Sequence, residues 1–274
     1  MTAQFDPQST RVPLPGTNNV RDLGGYPATD GRAVVRGRVY RSEALARPGA
    51  DEVHAIWDQA HAEHFKRLDL RTVLDLRAPR EIEITPSAWD LATGARVMSM
   101  PILEGGEGSA TYVMGQLMSG ERKRFGVQDM VELYRATIAR QAKVFGEIVR
   151  VLANPDTTPT LVHCSAGKDR TGIAVALVLD VLGVDRDLVV QDYALTGQFR
   201  PNRVNLYVET FEKAGLRPDD VRVLFETPAE AMEATLAHVD EEYGGTRSYF
   251  IGLSGLGPSD LEALHHNLLG PAAE

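Results

Sequence analysis

Leu161 to Gly172 has the order L-V-H-C-S-A-G-K-D-R-T-G. An apolar run delivers Cys164 into a five-residue turn that contains Gly167, Arg170 closes the turn, and an apolar helix follows. A turn of this kind leaves N–H groups of the loop and the first helical turn without intrahelical partners, and together they form an anion cradle. The helix macrodipole adds about half a positive charge at that end, and the same field favours an ionised cysteine. Arg170 brings a planar fork of donors that can hold two oxygens of one phosphate. Gly167 permits a positive φ or a close backbone approach, and Thr171 stands where its hydroxyl could donate towards the sulfur. The chemistry open to these residues is attack of a sulfur anion on a bound phosphate monoester. Ser165, Ala166, Gly167, Lys168 and Arg170 are then the phosphate-binding set. The sulfur is expected exposed at the mouth of the nest, with the guanidinium opposite it.

Plainer readings stand beside this one. A lone cysteine is usually a small buried hydrophobe, and Cys164 is the one cysteine of the chain. That count excludes an intrachain disulfide and any cysteine-rich zinc or iron–sulfur site. A Walker A loop needs a glycine five residues before its Gly-Lys pair and Ser or Thr after the lysine. Here Val162 and Asp169 occupy those places. His163 either fixes the geometry of the loop or is a satisfied core histidine. Lys168 either extends the positive field towards a second phosphate or is a solvated loop lysine. Asp169 is a candidate proton donor or merely an ion-pair partner of Arg170 or Lys168. Asn19, Arg21 and Asp22 make a hydrogen-bonded turn before Gly24-Gly25, with Asp22 expected to face the loop, or the turn is simply structural. Arg77 and Glu81, four apart, pair as a structural ion pair, and Arg41 is left open.

The surrounding pattern must position these groups. Thr72 to Arg77, Ala95 to Ile102 and Thr160 to Cys164 are expected strands, and Arg32 to Arg41 is one or two short strands around Gly37. Apolar spacing predicts helices over Ala50 to Leu68 and Gln128 to Leu152, one from Pro79 after Ala78, and a nearly all-apolar helix over Ile173 to Leu182. Leu103 to Val127 is glycine-rich with a basic cluster at Arg122-Lys-Arg124, and is read as a mobile loop or flap. From Asp185 onwards the pattern is helical, with starts near Asp185, Pro201, Pro218, Pro228 and Ser259. Strands alternating with helices imply an α/β core with a largely parallel sheet flanked by helices. Residues 1–15 are expected to be a flexible N-terminus and 16–274 a single domain, in which 103–127 is a candidate lid and 185–274 a helical annex.

Composition narrows the class. The 274 residues are 43% hydrophobic and 24% charged, which is ordinary for a globular protein. The net charge of −9 argues against non-specific binding to nucleic acid. The longest unbroken apolar run, Ile173 to Leu179, is far below the ~20 residues of a membrane span, so no integral membrane association is expected. The start MTAQFDPQST shows no signal-peptide pattern, which sets the expectation of a cytoplasmic protein.

The run HCSAGKDRTG resembles the signature loop of the cysteine-dependent tyrosine phosphatases, and its GKDRT ending is similar to their atypical bacterial branch. Asn19-Val-Arg-Asp-Leu-Gly-Gly25, Gly37-Arg-Val-Tyr-Arg-Ser42, Asp75-Leu-Arg77 with Glu81, Asp192-Tyr193 and Leu268-Leu-Gly270 resemble that branch in order, so the likeness covers nearly the whole chain. It implies the tyrosine-phosphatase-like fold and a phosphocysteine mechanism with neither metal nor cofactor. Cys164 would be the nucleophile, Arg170 and the loop amides would stabilise the equatorial oxygens, and His163, Thr171 and Asp22 would support them. The implied partner is a phosphotyrosine protein or peptide, extended in some members to phosphoserine, phosphothreonine or phosphoinositides. Members of the branch carry a general-acid Asp just after a Pro matching Pro101, where this chain has Ile102. The proton donor is then Asp169, Glu104 or neither. That gap keeps a catalytically silent phosphate-binding module of the same fold as the alternative.

Overall fold

A computed structural model describes residues 5–49, 55–103, 112–200 and 202–272. The strands are β1 Arg21–Asp22, β2 Arg32–Val34, β3 Val39–Ser42, β4 Leu45–Ala46, β5 Ala55–Ile56, β6 Thr72–Asp75, β7 Arg96–Ser99, β8 Thr160–His163 and β9 Leu269–Pro271. Between them come α1 Ala62–Lys66, α2 Pro79–Ile84, α3 Trp89–Thr93, α4 Tyr112–Met118, α5 Val127–Arg140 and α6 Ala142–Ala153. After β8 follow α7 Asp169–Val181, α8 Arg186–Phe199, α9 Val208–Lys213, α10 Pro218–Val221, α11 Ala229–Tyr243, α12 Thr246–Leu253 and α13 Pro258–Leu268. The main sheet has the order β1-β3-β8-β6-β7, parallel except for β1 at its edge. Covered on both faces, β8 needs no alternation, and its four residues are all buried. Its register sets Ser42 and Asp75 on either side of His163. The chain leaving β8 therefore emerges between the ends of β3 and β6, at the carboxyl edge where open α/β sheets bind ligands.

The next helix, α7, is buried from Arg170 to Leu179, as expected of a helix apolar on every side. It begins at Asp169 rather than beyond Gly172, so Arg170 and Thr171 belong to its first turn. The stretch expected as one helix from Gln128 to Leu152 is two, α5 and α6, broken at Gln141 (φ −106°, ψ 16°). Buried Ile138 and Ala142 keep one stripe in phase across the break, so spacing cannot reveal it. Over Ala50 to Leu68 only Ala62–Lys66 is α-helical; residues 50–54 lie outside the described residues. Ala55 and Ile56 pair with β4 instead, and Asp58 caps a 3-10 turn through the Ala60 N–H at 2.9 Å, so tertiary pairing overrides the periodicity.

The ends of the chain are tied in. Residues 1–4 lie outside the described residues, but Pro7–Thr10 form a turn, Thr10 and Leu14 are buried, and Phe5 packs on Tyr26 with ring centroids 4.6 Å apart. Residues 5–15 are thus a packed segment. In the expected lid, residues 104–111 are not described, while Val113, Leu117 and Phe125 sit in the main apolar cluster. The helical third packs against the core that the sheet builds. β9 pairs antiparallel with β2, and one apolar cluster runs from Leu23 through α5, α6, α7 and α11 to Leu269. No helix among the described residues is long and apolar enough to cross a membrane.

Leu268→Ala empties a fully buried position of this shared cluster and should cost about 2–5 kcal/mol. Calorimetry should show one cooperative transition at lower temperature; two separate transitions would mean that the helical third folds as its own unit.

Candidate active site

The loop that leaves β8 is oriented by where its carbonyls go. Cys164 O faces His163 Nδ1 at 3.0 Å, and Ser165 O accepts the Ala44 N–H at 3.0 Å. Asn19 Nδ2 donates to Ala166 O (3.4 Å) and Gly167 O (3.2 Å), and Arg41 Nη2 donates to Gly167 O at 2.8 Å. Lys168 O accepts the Gly172 N–H at 2.8 Å, as the first bond of α7. Each of these peptides is trans, so the following N–H points opposite to its carbonyl. The N–H groups of Ser165 to Asp169 therefore turn to the other side of the loop, where they donate to no group among the described residues. Gly167 makes the turn with φ +65°, and a Cβ there would lie 2.4 Å from Ser42 O.

Beneath the loop lies a buried charge set. Arg21 and Arg41 both pair with Asp192, and Tyr26 donates to the same carboxylate at 3.1 Å. Arg21 also donates to Asn19 Oδ1, which aims the Asn19 amide at the loop. Burial, followed by the neighbouring Arg41, lowers Arg21 to about 10. Burial alone would raise Asp192, but Arg41 and Arg21 outweigh it and hold the carboxyl below the usual range. Asp22, expected to face the loop, does not touch it. Its carboxylate accepts the N–H groups of Gly24 (2.8 Å) and Gly37 (2.9 Å) and so fixes the neighbouring turns.

Arg170 is held from the other side. Glu81 grips its guanidinium with two bonds of 2.5 and 2.8 Å and accepts the Ser165 hydroxyl at 2.5 Å. Burial pushes the Glu81 carboxyl up, but the Arg170 and Ser165 contacts outweigh it and keep the group below the ordinary carboxylate range. The expected Arg77–Glu81 pair is not formed. Arg77 turns back to Asp75 (2.7 Å) and Thr85 O (2.8 Å), because Asp75 is buried beside it at the end of β6. Glu81 also stands at the start of α2, where its Oε2 accepts the Ala78 N–H at 2.9 Å. What brings it to Arg170 is the β6–β8 register. His163 is fully buried, and a carbonyl only accepts, so its Nδ1 carries the proton given to Cys164 O. Burial lowers its pKa more than Asp75, 3.6 Å away, raises it.

Cys164 is not the exposed sulfur expected from the sequence. It is 2% exposed, because it directly follows a buried strand and forms the floor of the loop. It belongs to the main apolar cluster, while Ser165, Ala166 and Asp169 of the loop that follows are only half-buried. The Thr171 hydroxyl is buried and makes no hydrogen bond to the sulfur or to any other described group. The Lys168 ammonium turns away from the loop opening. It donates to Leu224 O (2.8 Å) and Glu226 O (2.9 Å), pairs with Asp169 Oδ1 at 3.1 Å, and is neither solvated nor offered to a second phosphate. Asp169 Oδ1 also accepts the Tyr134 hydroxyl at 2.5 Å. Pro101 is followed by Ile102, which is buried, and Glu104 lies outside the described residues. Arg200, at the end of α8, is a cation that no local motif marks. Burial and Arg203 lower its pKa, while the charges of Glu43 and Cys164 lie close enough to raise it. The assembled groups can hold a tetrahedral oxyanion over the sulfur.

A family model described as tyrosine phosphatase family matches residues 12–270. A protein of Cupriavidus necator named as a tyrosine-protein phosphatase is 31% identical over 237 residues, which cover 85% of this chain and 80% of that one. The triple specificity protein phosphatase PtpB of Mycobacterium tuberculosis is 29% identical over 290 residues, or 94% of this chain and 98% of that one. Among solved structures, the core catalytic domain of the PP-IP phosphatase SIW14 from S. cerevisiae aligns over 81% of this chain and 94% of its own, at 14% identity and TM-score 0.38.

Two outcomes follow from this geometry. Gly167→Ala should weaken vanadate binding by more than about tenfold in calorimetric titration, since a Cβ must displace the loop; unchanged affinity would mean that the loop amides do not bind the anion. The lowered pKa of His163 means that the unfolded chain binds its proton first. Stability should therefore fall as pH drops below about 6.5, by at most about 1.4 kcal/mol per pH unit from this group. Melting curves of His163→Gln should lose that part of the slope; an unchanged slope would contradict a buried neutral imidazole.

Proposed function

This chain belongs to the tyrosine phosphatase family, and on that premise we propose that Cys164 carries the phosphoryl group in the reaction. As a member it is a hydrolase of phosphoric monoesters. The observation that supports the role of Cys164 is the loop around it: five successive N–H groups turned from their pinned carbonyls, at the start of α7.

The substrate phosphate sits against the N–H groups of Ser165 to Asp169, with two of its oxygens on the Arg170 fork that Glu81 holds in place. The sulfur anion attacks phosphorus in line. An S–P bond forms, the P–O bond to the leaving group breaks, and Asp169 gives its proton to the departing oxygen. Water then attacks the phosphocysteine, its proton passes to the Asp169 carboxylate, the S–P bond breaks, and inorganic phosphate leaves. Asp169 Oδ1 is occupied by Tyr134 and Lys168, which leaves Oδ2 to carry the transferred proton. The substrate class is a phosphotyrosine protein or peptide. The name of the triple specificity relative supports a range wider than one substrate, and the further substrates that we propose are phosphoserine, phosphothreonine and phosphoinositides.

Purified protein should hydrolyse p-nitrophenyl phosphate in excess EDTA, and Cys164→Ser should abolish turnover while still binding phosphotyrosine peptide. Relative rates on phosphotyrosine peptide, phosphoserine peptide and phosphoinositide at matched concentration define the range, with phosphotyrosine expected to be fastest. Residual turnover in Cys164→Ser would remove the sulfur from the mechanism, and a wild type that binds without turnover would be a silent phosphate-binding module.

A further inference from the structure

Asp169 is not left to itself at the start of α7. Behind it stand two tyrosines from different helices, Tyr134 of α5 and Tyr193 of α8, both almost fully buried. Tyr134 donates to Asp169 Oδ1 at 2.5 Å, and its oxygen lies 2.8 Å from the Tyr193 hydroxyl. With the transferable proton on Oδ2, Oδ1 only accepts, so the single Tyr134 proton is committed to Asp169, and the Tyr193 hydroxyl, which also lies 3.5 Å from Met130 Sδ, donates to Tyr134. The two rings meet edge to face, with centroids 6.1 Å apart, which fixes both hydroxyls against rotation of the side chains. Lys168 completes the set around Oδ1 from the loop itself.

We propose that Tyr134, backed by Tyr193, is the positioning residue of the proton donor: it fixes the Asp169 carboxyl so that Oδ2 faces the leaving oxygen. The inference rests on the assignment of Asp169 above, and neither tyrosine contacts the reacting atoms. Loss of the Tyr134 hydroxyl leaves Oδ1 with Lys168 alone among these groups and so loosens the Asp169 rotamer, while the phosphate cradle, Cys164 and Arg170 stay in place. The burden then falls on substrates whose leaving oxygen needs a proton. A p-nitrophenolate leaves largely unaided, whereas the phenolate of phenyl phosphate does not.

The test compares kcat/KM on phenyl phosphate and p-nitrophenyl phosphate for the full chain, Tyr134→Phe, Tyr193→Phe and Asp169→Asn. Tyr134→Phe should lose about tenfold on phenyl phosphate and less than about threefold on p-nitrophenyl phosphate. Tyr193→Phe should shift the same ratio by a smaller factor, and it decides the matter if Tyr134→Phe fails to fold. Equal loss on both substrates in both tyrosine variants would show a merely structural role and overturn the proposal. Asp169→Asn separates the two assignments. If it loses preferentially on phenyl phosphate while the tyrosine variants do not, positioning by Tyr134 is wrong and the donor stands. If Asp169→Asn shows no preference, the donor assignment fails, and the positioning inference fails with it.

Discussion

The peptide planes from Cys164 to Lys168 all carry their carbonyl oxygens towards bonded partners in the protein, and a trans peptide then has only one direction for the next N–H. His163, Ala44, Asn19, Arg41 and Gly172 supply those partners from five places in the chain. The cradle is thus a consequence of what lies behind it. A loop whose carbonyls were free to flip would offer an anion a mixture of donors and acceptors. This one is preorganised, so little reorganisation is left for the moment of reaction. Gly167 is where the constraint is tightest, since its positive φ and its approach to Ser42 admit no side chain.

The backing carries its own cost. Two guanidiniums and one carboxylate, Arg21, Arg41 and Asp192, are fully buried together. Such groups gain little net stability over well-packed hydrocarbon, yet removal of one partner costs about 3–5 kcal/mol because the remaining charge is left uncompensated. The set is better explained by the direction it gives to Gly167 O than by any contribution to folding. Glu81 does for Arg170 what Arg41 does for Gly167. It holds a long, flexible cation in one rotamer and also ties down the Ser165 hydroxyl.

How much of this could be read in the sequence follows the range of each interaction. The loop, the strand before it and the start of the helix after it are contiguous in the chain, and the order L-V-H-C-S-A-G-K-D-R-T-G conveys them directly. The largely parallel sheet follows from alternating patterns. The register between β6 and β8 does not; it brings α2 beside the loop, where Glu81 meets Arg170 while Asp75 takes Arg77. Asn19 and Arg21 were legible as a turn near the site, but spacing pointed to Asp22, whose carboxylate is spent on Gly24 and Gly37. The break at Gln141 keeps the apolar stripe in phase and so leaves no periodic trace. Lys168 looked free because its partners, Leu224 O and Glu226 O, are backbone atoms more than fifty residues away. Cys164 was expected in solvent because burial at a loop floor depends on what packs around it.

The most direct measurement is a crystal structure of the protein soaked with vanadate. Vanadium should be bonded to the Cys164 sulfur, with its equatorial oxygens on the N–H groups of Ser165 to Asp169 and the Arg170 fork, and the loop carbonyls unmoved on Asn19, Arg41 and Ala44. An oxyanion bound elsewhere, or a loop that flips its peptides on binding, would contradict this arrangement.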